Sequence, residues 1–79
     1  MSELSYTDKL IAHMEPQTII GSLLDESRKR ERSGHYATAM SLVRQAELFV
    51  PFVSGEHRQD YERFIQGQRD DIEASKAIS

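Results

Sequence analysis

Apolar residues recur along this chain at intervals of three and four, the spacing of one helix face. Ile19, Ile20, Leu23 and Leu24 form the first clear patch. The spacing predicts a helix from about Pro16 to Ser33. Glu15-Pro16 breaks the chain ahead of it, and proline suits the first helical position. After Ser27 the pattern turns polar all round, through Arg28, Lys29, Arg30, Glu31 and Arg32. Basic residues there complement the helix dipole. Upstream of the break, Leu10, Ile11 and Met14 give residues 5–14 one apolar face, with Ser5 or Thr7 as caps for a short leading helix.

Gly34 sits where a helix C-cap needs a residue tolerant of positive φ. A new helix follows, from about Tyr36 to Phe49 or Phe52. Ala39 and Ala46 lie on one face and let a neighbour approach closely, while Met40, Val43, Phe49 and Val50 widen the apolar stripe. Pro51 marks the helix end. The segment LFVPFV is the most apolar piece of the chain. It reads as a helix end and buried linker, because no second strand is present to pair with it. Ser54-Gly55 marks a turn with Ser54 as N-cap. A last helix is expected from about Glu56 to Ala74, with a fraying tail beyond. His57, Tyr61, Phe64, Ile65, Gln68 and Ile72 form a narrow stripe of the coiled-coil kind.

The stretch Gly34-x-Tyr36-x-x-Ala39-Met40, with Ala46 and Pro51 following, resembles one tetratricopeptide (TPR) repeat. The match covers about 18 residues, Gly34 to Pro51. Upstream, Leu23 and Ser27 fit the first helix of such a repeat, whereas Glu26 and Arg30 replace its large apolar and aromatic residues. The same helix-turn-helix resembles that of MIT domains, three-helix modules that bind short helical motifs. There Tyr36, Ala39 and the Tyr61/Phe64/Ile65 cluster would take similar packing roles. The fold expected is all-α: a TPR-like helical hairpin plus an antiparallel third helix, a small bundle of three or four helices. Residues 1–79 form a single helical domain: 1–15 a short leading helix or flexible arm, 16–74 the core, 75–79 a frayed tail.

At 79 residues and 38% apolar composition, with no Trp and three each of Phe and Tyr, the core is small. A domain of this size is marginal alone, and a partner or self-association would add burial. The chain has no cysteine, which excludes a disulfide framework or a zinc–thiolate site and is compatible with a cytoplasmic location. No apolar run is long enough to span a membrane. The polar, acidic start MSELSYTDKL does not read as a secretory signal.

Net charge is −3, and it is unevenly placed. Residues 1–27 hold five acids and one lysine, net −4; residues 28–44 hold five basic residues and one acid, net +4; residues 45–79 hold seven acids and four basic residues, net −3. A basic middle thus lies between acidic ends. Arg28 to Arg32 is either a solvated helix end or a patch that grips an acidic helix or a carboxylate. The TPR resemblance implies groove-facing positions at Leu24, Arg28, Glu31 and Arg32. The run is short and without interleaved aromatics, which makes nucleic acid an unlikely target.

Catalytic chemistry finds no constellation. His13, His35 and His57 share no i, i+3 or i, i+4 spacing, so no metal is expected. Asp25-Glu26 and Asp70-Asp71 are adjacent pairs whose side chains diverge on a helix. There is no Gly-rich phosphate loop. No cofactor is implied, and the chain does not read as an enzyme.

The expected function is that of a small cytosolic adaptor or chaperone, docking a helical or extended segment of a partner protein. Leu24, Met40, Phe49, Phe52 and Phe64 are the candidate apolar contacts. Arg28 and Arg32 would supply orientation and on-rate. Phe49, Phe52 and Val53 would form a docking patch if exposed. Size, acidity and lack of cysteine also resemble small bacterial type III secretion chaperones and co-chaperones. Two alternatives are a self-associating structural bundle, supported by the stripe from His57 to Ile72, and a regulator touching nucleic acid through residues 28–32.

Overall fold

The computed structural model describes residues 15–78. The leading helix expected over residues 5–14 lies outside them. The described residues form three α-helices: α1 (Pro16–Arg32), α2 (Tyr36–Phe49) and α3 (Gly55–Ile78), with a 3-10 turn at Val50–Phe52 between the last two. The described residues contain no strand, so the all-α expectation holds.

Helix α1 starts where proline dictates. Glu15 is extended (φ −72°, ψ 153°), as the residue before proline prefers. Its carbonyl accepts the amides of Thr18 and Ile19 at 3.0 and 3.1 Å. The helix ends in a Schellman motif. The Gly34 amide donates to the Glu31 carbonyl at 3.0 Å and the His35 amide to the Arg30 carbonyl at 2.8 Å. Gly34 has φ +82°, which an L side chain adopts only with strain. This turn reverses the chain, and α2 runs back along α1. The His35 carbonyl accepts the Ala39 amide at 2.9 Å and opens α2.

The hairpin is close because its facing residues are small. Ala39, Ala46 and Ser27 are wholly buried. The Ser27 hydroxyl lies near enough to α2 to donate to the Ala39 carbonyl at 2.8 Å. Around this contact pack Ile19, Ile20, Leu23, Leu24 and Val43. Each such side chain contributes about 1.5–3 kcal/mol by leaving water.

Helix α3 then packs against both arms of the hairpin. It is antiparallel to α2: Arg69 pairs with Glu47 in the second half of α2, while Lys76 shares a cleft with Tyr36 at its start. It is therefore parallel to α1. Ile65 and Ile72 enter the core, together with Val50 and Val53 from the connection.

The linker is half as buried as its composition suggests. Val50 and Val53 point inward, but Pro51 and Phe52 face solvent. The 3-10 turn stops α2 at Phe49, the earlier of the two ends anticipated, because Pro51 cannot donate to an α-helical carbonyl. Arg58 holds the connection from α3, donating to the carbonyls of Pro51 at 3.2 Å and Val53 at 3.3 Å. The Ser54 carbonyl accepts the His57 amide at 3.0 Å as α3 begins.

Helix α3 is longer than the expected Glu56–Ala74 and continues to Ile78. The reason is tertiary. The Ser75 hydroxyl donates to Glu31 Oε2 of α1 at 2.7 Å and ties the last turns down.

Candidate functional site

The outer junction of α1 and α3 forms a shallow cleft of about 310 Å³ lined by Gln17, Gly21, Leu24, Asp25, Arg28, Tyr61 and Phe64. Three of the seven residues singled out from sequence meet here: Leu24, Arg28 and Phe64. Spacing explains the arrangement. Gln17, Gly21, Leu24 and Arg28 fall three and four apart on one α1 stripe. Tyr61 and Phe64 do the same on α3.

Each wall has a distinct character. Leu24 is 3% exposed and forms the apolar floor. Gly21 leaves the floor open, since a Cβ there would meet no atom within 4 Å. Tyr61 and Phe64 make an edge-to-face pair, ring centroids 5.9 Å apart at 85°. That geometry aligns the positive edge of one ring with the negative face of the other. Phe64 remains 56% exposed at the lip.

Arg28 sits at the polar end and pairs with Asp25 at 3.0 Å. The rest of the basic run is similarly engaged. Arg30 bonds Glu26 at 3.1 Å, and Lys29 lies 4.0 Å from the same carboxylate. This accounts for Glu26 and Arg30 standing where a repeat would have large apolar residues: they form an i, i+4 pair on the solvent face. Arg32 is exposed, its Nε donating to the Arg28 carbonyl at 3.5 Å. Exposed pairs of this kind are worth about 0–1 kcal/mol and open readily for a competing carboxylate.

Glu31 does not share the groove position that the TPR resemblance implied. It turns inward, accepting from Gln68 Nε2 at 3.1 Å and from Ser75 Oγ at 2.7 Å.

The remaining candidates lie elsewhere. Met40 is half-buried and lines a separate α2–α3 cleft of about 360 Å³ with Tyr36, Ala37, Arg44, Ile72, Glu73 and Lys76. Phe49 packs partly against the core. Phe52 is 71% exposed beside Pro51. The anticipated patch of Phe49, Phe52 and Val53 does not form, because Val53 is 4% exposed and belongs to the core. Leu48, 70% exposed, joins Phe52 in facing solvent, and its place off the apolar stripe gave no sequence signal.

The stripe from His57 to Ile72 divides. Ile65, Gln68 and Ile72 are buried against the hairpin, whereas His57 and Phe64 are exposed. Gln68 is the residue that sequence reasoning undervalued. It is 2% exposed and bonds both Ser27 and Glu31. Its position between Ile65 and Ile72 was the available signal.

Among the described residues, no three His, Asp or Glu side chains cluster in a way that could hold a metal. No described helix is long and apolar enough to cross a membrane. Comparison with protein-family models, with curated proteins and with solved structures finds no match. The described residues form a small three-helix unit built on a helical hairpin.

Proposed function

We propose that this chain is a protein-binding adaptor that docks an amphipathic helical segment of a partner protein in the α1–α3 cleft. The observation that carries this reading is the convergence of Leu24, Arg28 and the Tyr61–Phe64 pair around the open Gly21 floor. An apolar anchor of the partner would sit over Leu24 and against Phe64. A partner carboxylate would take Arg28 from its exposed pair with Asp25, giving orientation and on-rate. The TPR and MIT resemblances agree with this mode, since both imply packed helices that present a groove.

The burial pattern favours docking over self-association. The α3 stripe that suggested a coiled-coil homodimer is largely occupied within the chain by Ile65, Gln68 and Ile72. The basic run gives little support to nucleic-acid binding, because Arg28, Lys29 and Arg30 each face an acid on α1.

The test is cross-linking in cells with a photoreactive phenylalanine at position 64, followed by mapping of the linked residues. Adaptor function requires links to one amphipathic segment of a single protein, lost in the Arg28→Glu/Arg32→Glu double variant. Links only between copies of this chain, unchanged by the double variant, would overturn it.

A further inference from the structure

The α3 stripe is spent within the chain, but the back of α2 is not. Leu48 is 70% exposed and Phe52, four residues on, is 71% exposed. The buried residues of α2 are Ala39, Val43 and Ala46, and Leu48 lies about 200° around the helix from Ala46. We propose that this back face of α2 pairs with the same face of a second copy, antiparallel, about a two-fold axis at Leu48.

The spacing is self-complementary. Arg44 precedes Leu48 by four residues, and Phe52 follows it by four. In a two-fold pair, when one residue meets another the reverse contact forms as well. With Leu48 on the axis, Leu48 meets its own copy, and Arg44 meets Phe52 of the second copy on both sides. A guanidinium over an aromatic ring is an attractive pair. One Leu–Leu contact is thus flanked by two Arg–Phe contacts. A foreign helix would find a single apolar turn here, whereas a second copy uses Arg44 and Phe52 twice.

Charge permits the approach. Helix α2 carries two charged residues, Arg44 and Glu47, against seven on α1 (Asp25, Glu26 and residues 28–32). Such depletion of charge marks the core of an interface. Glu47 is engaged by Arg69 of α3. Arg44 is exposed and forms no ion pair among the described residues. In the antiparallel pair the two Arg44 side chains stand on opposite sides of the axis, about 12 Å apart along the helix. Salt screens them at that distance, since the Debye length is about 10 Å at 0.1 M.

Size sets the strength. The face from Ser41 to Phe52 is about 17 Å long at 1.5 Å per residue. A strip this short buries less than the roughly 800 Å² per partner of a standard interface. The dimer is therefore weak, with a Kd on the order of 0.1 mM. It leaves the α1–α3 cleft of each copy uncovered, and two linked clefts gain avidity for a partner with two docking segments. The pairing stands whether or not that cleft docks a partner.

The chain has no cysteine, so single introduced cysteines report the register. Under mild oxidation Leu48→Cys should form a disulfide dimer about tenfold faster or more than Ser41→Cys, because only a residue on the axis meets itself within disulfide reach. A mixture of Arg44→Cys and Phe52→Cys should yield the mixed dimer in excess of either homodimer. Sedimentation equilibrium of the unaltered chain should show its mean mass rising toward two copies. Leu48→Asp, at an exposed site, should weaken the dimer about tenfold or more with its circular dichroism unchanged. Equal rates at positions 41 and 48, a statistical mixture of dimers, or a wild type still monomeric at millimolar concentration would overturn the inference. A partner captured at position 64 by a chain that stays monomeric would sink the pairing and keep the adaptor reading. A dimer in this register with no captured partner would do the reverse.

Discussion

Gln68 on α3 donates to Ser27 Oγ on α1 at 3.2 Å, across 41 residues of sequence, and Ser27 donates onward to the Ala39 carbonyl of α2 at 2.8 Å. One side chain therefore joins three helices inside an otherwise apolar core. The second Gln68 contact, to Glu31, extends the chain of bonds to Ser75. No buried side-chain polar atom among the described residues lacks a partner. A satisfied network of this kind sets the register of α3, because sliding the helix one turn would leave buried donors unpaired.

Gln68→Ala should therefore cost about 2–3 kcal/mol, through the loss of one buried neutral hydrogen bond to Ser27 and one charge-assisted bond to Glu31. Chemical denaturation measures it. A loss below about 0.5 kcal/mol, the range of ordinary surface substitutions, would show that the network does not hold α3.

Two glycines should respond in opposite directions. Gly67 lies inside α3, exposed, with open space where a Cβ would stand. Gly67→Ala should stabilise the protein by about 0.5–1 kcal/mol through helix propensity. Gly34→Ala should destabilise it by about 1–2 kcal/mol, because φ is +82° there. Thermal unfolding of the two variants side by side checks the signs, and equal shifts would refute the assignment of the turn.

Arg58→Ala removes both donors from the Pro51 and Val53 carbonyls. The cost should be modest, about 1 kcal/mol, since the guanidinium is largely exposed. Amide exchange should accelerate at Val53, whose N–H bonds the Val50 carbonyl, and remain slow at Val43 in the core. Uniform acceleration would mean that Arg58 supports the whole bundle rather than the linker.

Charge reversal at Arg28 and Arg32 should leave stability within about 1 kcal/mol of wild type, because both are exposed and their contacts are weak. Far-ultraviolet circular dichroism during urea titration suffices to establish this. A larger loss would disqualify the double variant as a probe of binding.

Much of the fold was legible in the sequence. The 3.6-residue periodicity of Ile19 to Leu24 and of Ala39 to Val50 marks two helices. Pro16 and Gly34 mark a start and a stop by chemistry that acts within one turn of the chain. These are local constraints, set by φ preference, missing donors and face periodicity, so neighbouring residues are enough to specify them.

The cleft and the fate of individual large side chains were decided by tertiary structure. Phe64 and Ile65 are adjacent and both apolar, yet one faces solvent and the other the core, according to how α3 lies on the hairpin. Val53 is buried while Phe52 is exposed, because the 3-10 turn directs successive residues to different sides. Glu31 belongs by composition to a basic surface run, but it turns inward because Gln68 and Ser75 arrive on α3. Such pairings join residues about 40 positions apart, and no local pattern encodes them. The sequence by itself determined where the helices begin, where Gly34 stops α1, and which faces are apolar; packing determined which of those faces meet, how far α3 runs and what the junction of α1 and α3 leaves open.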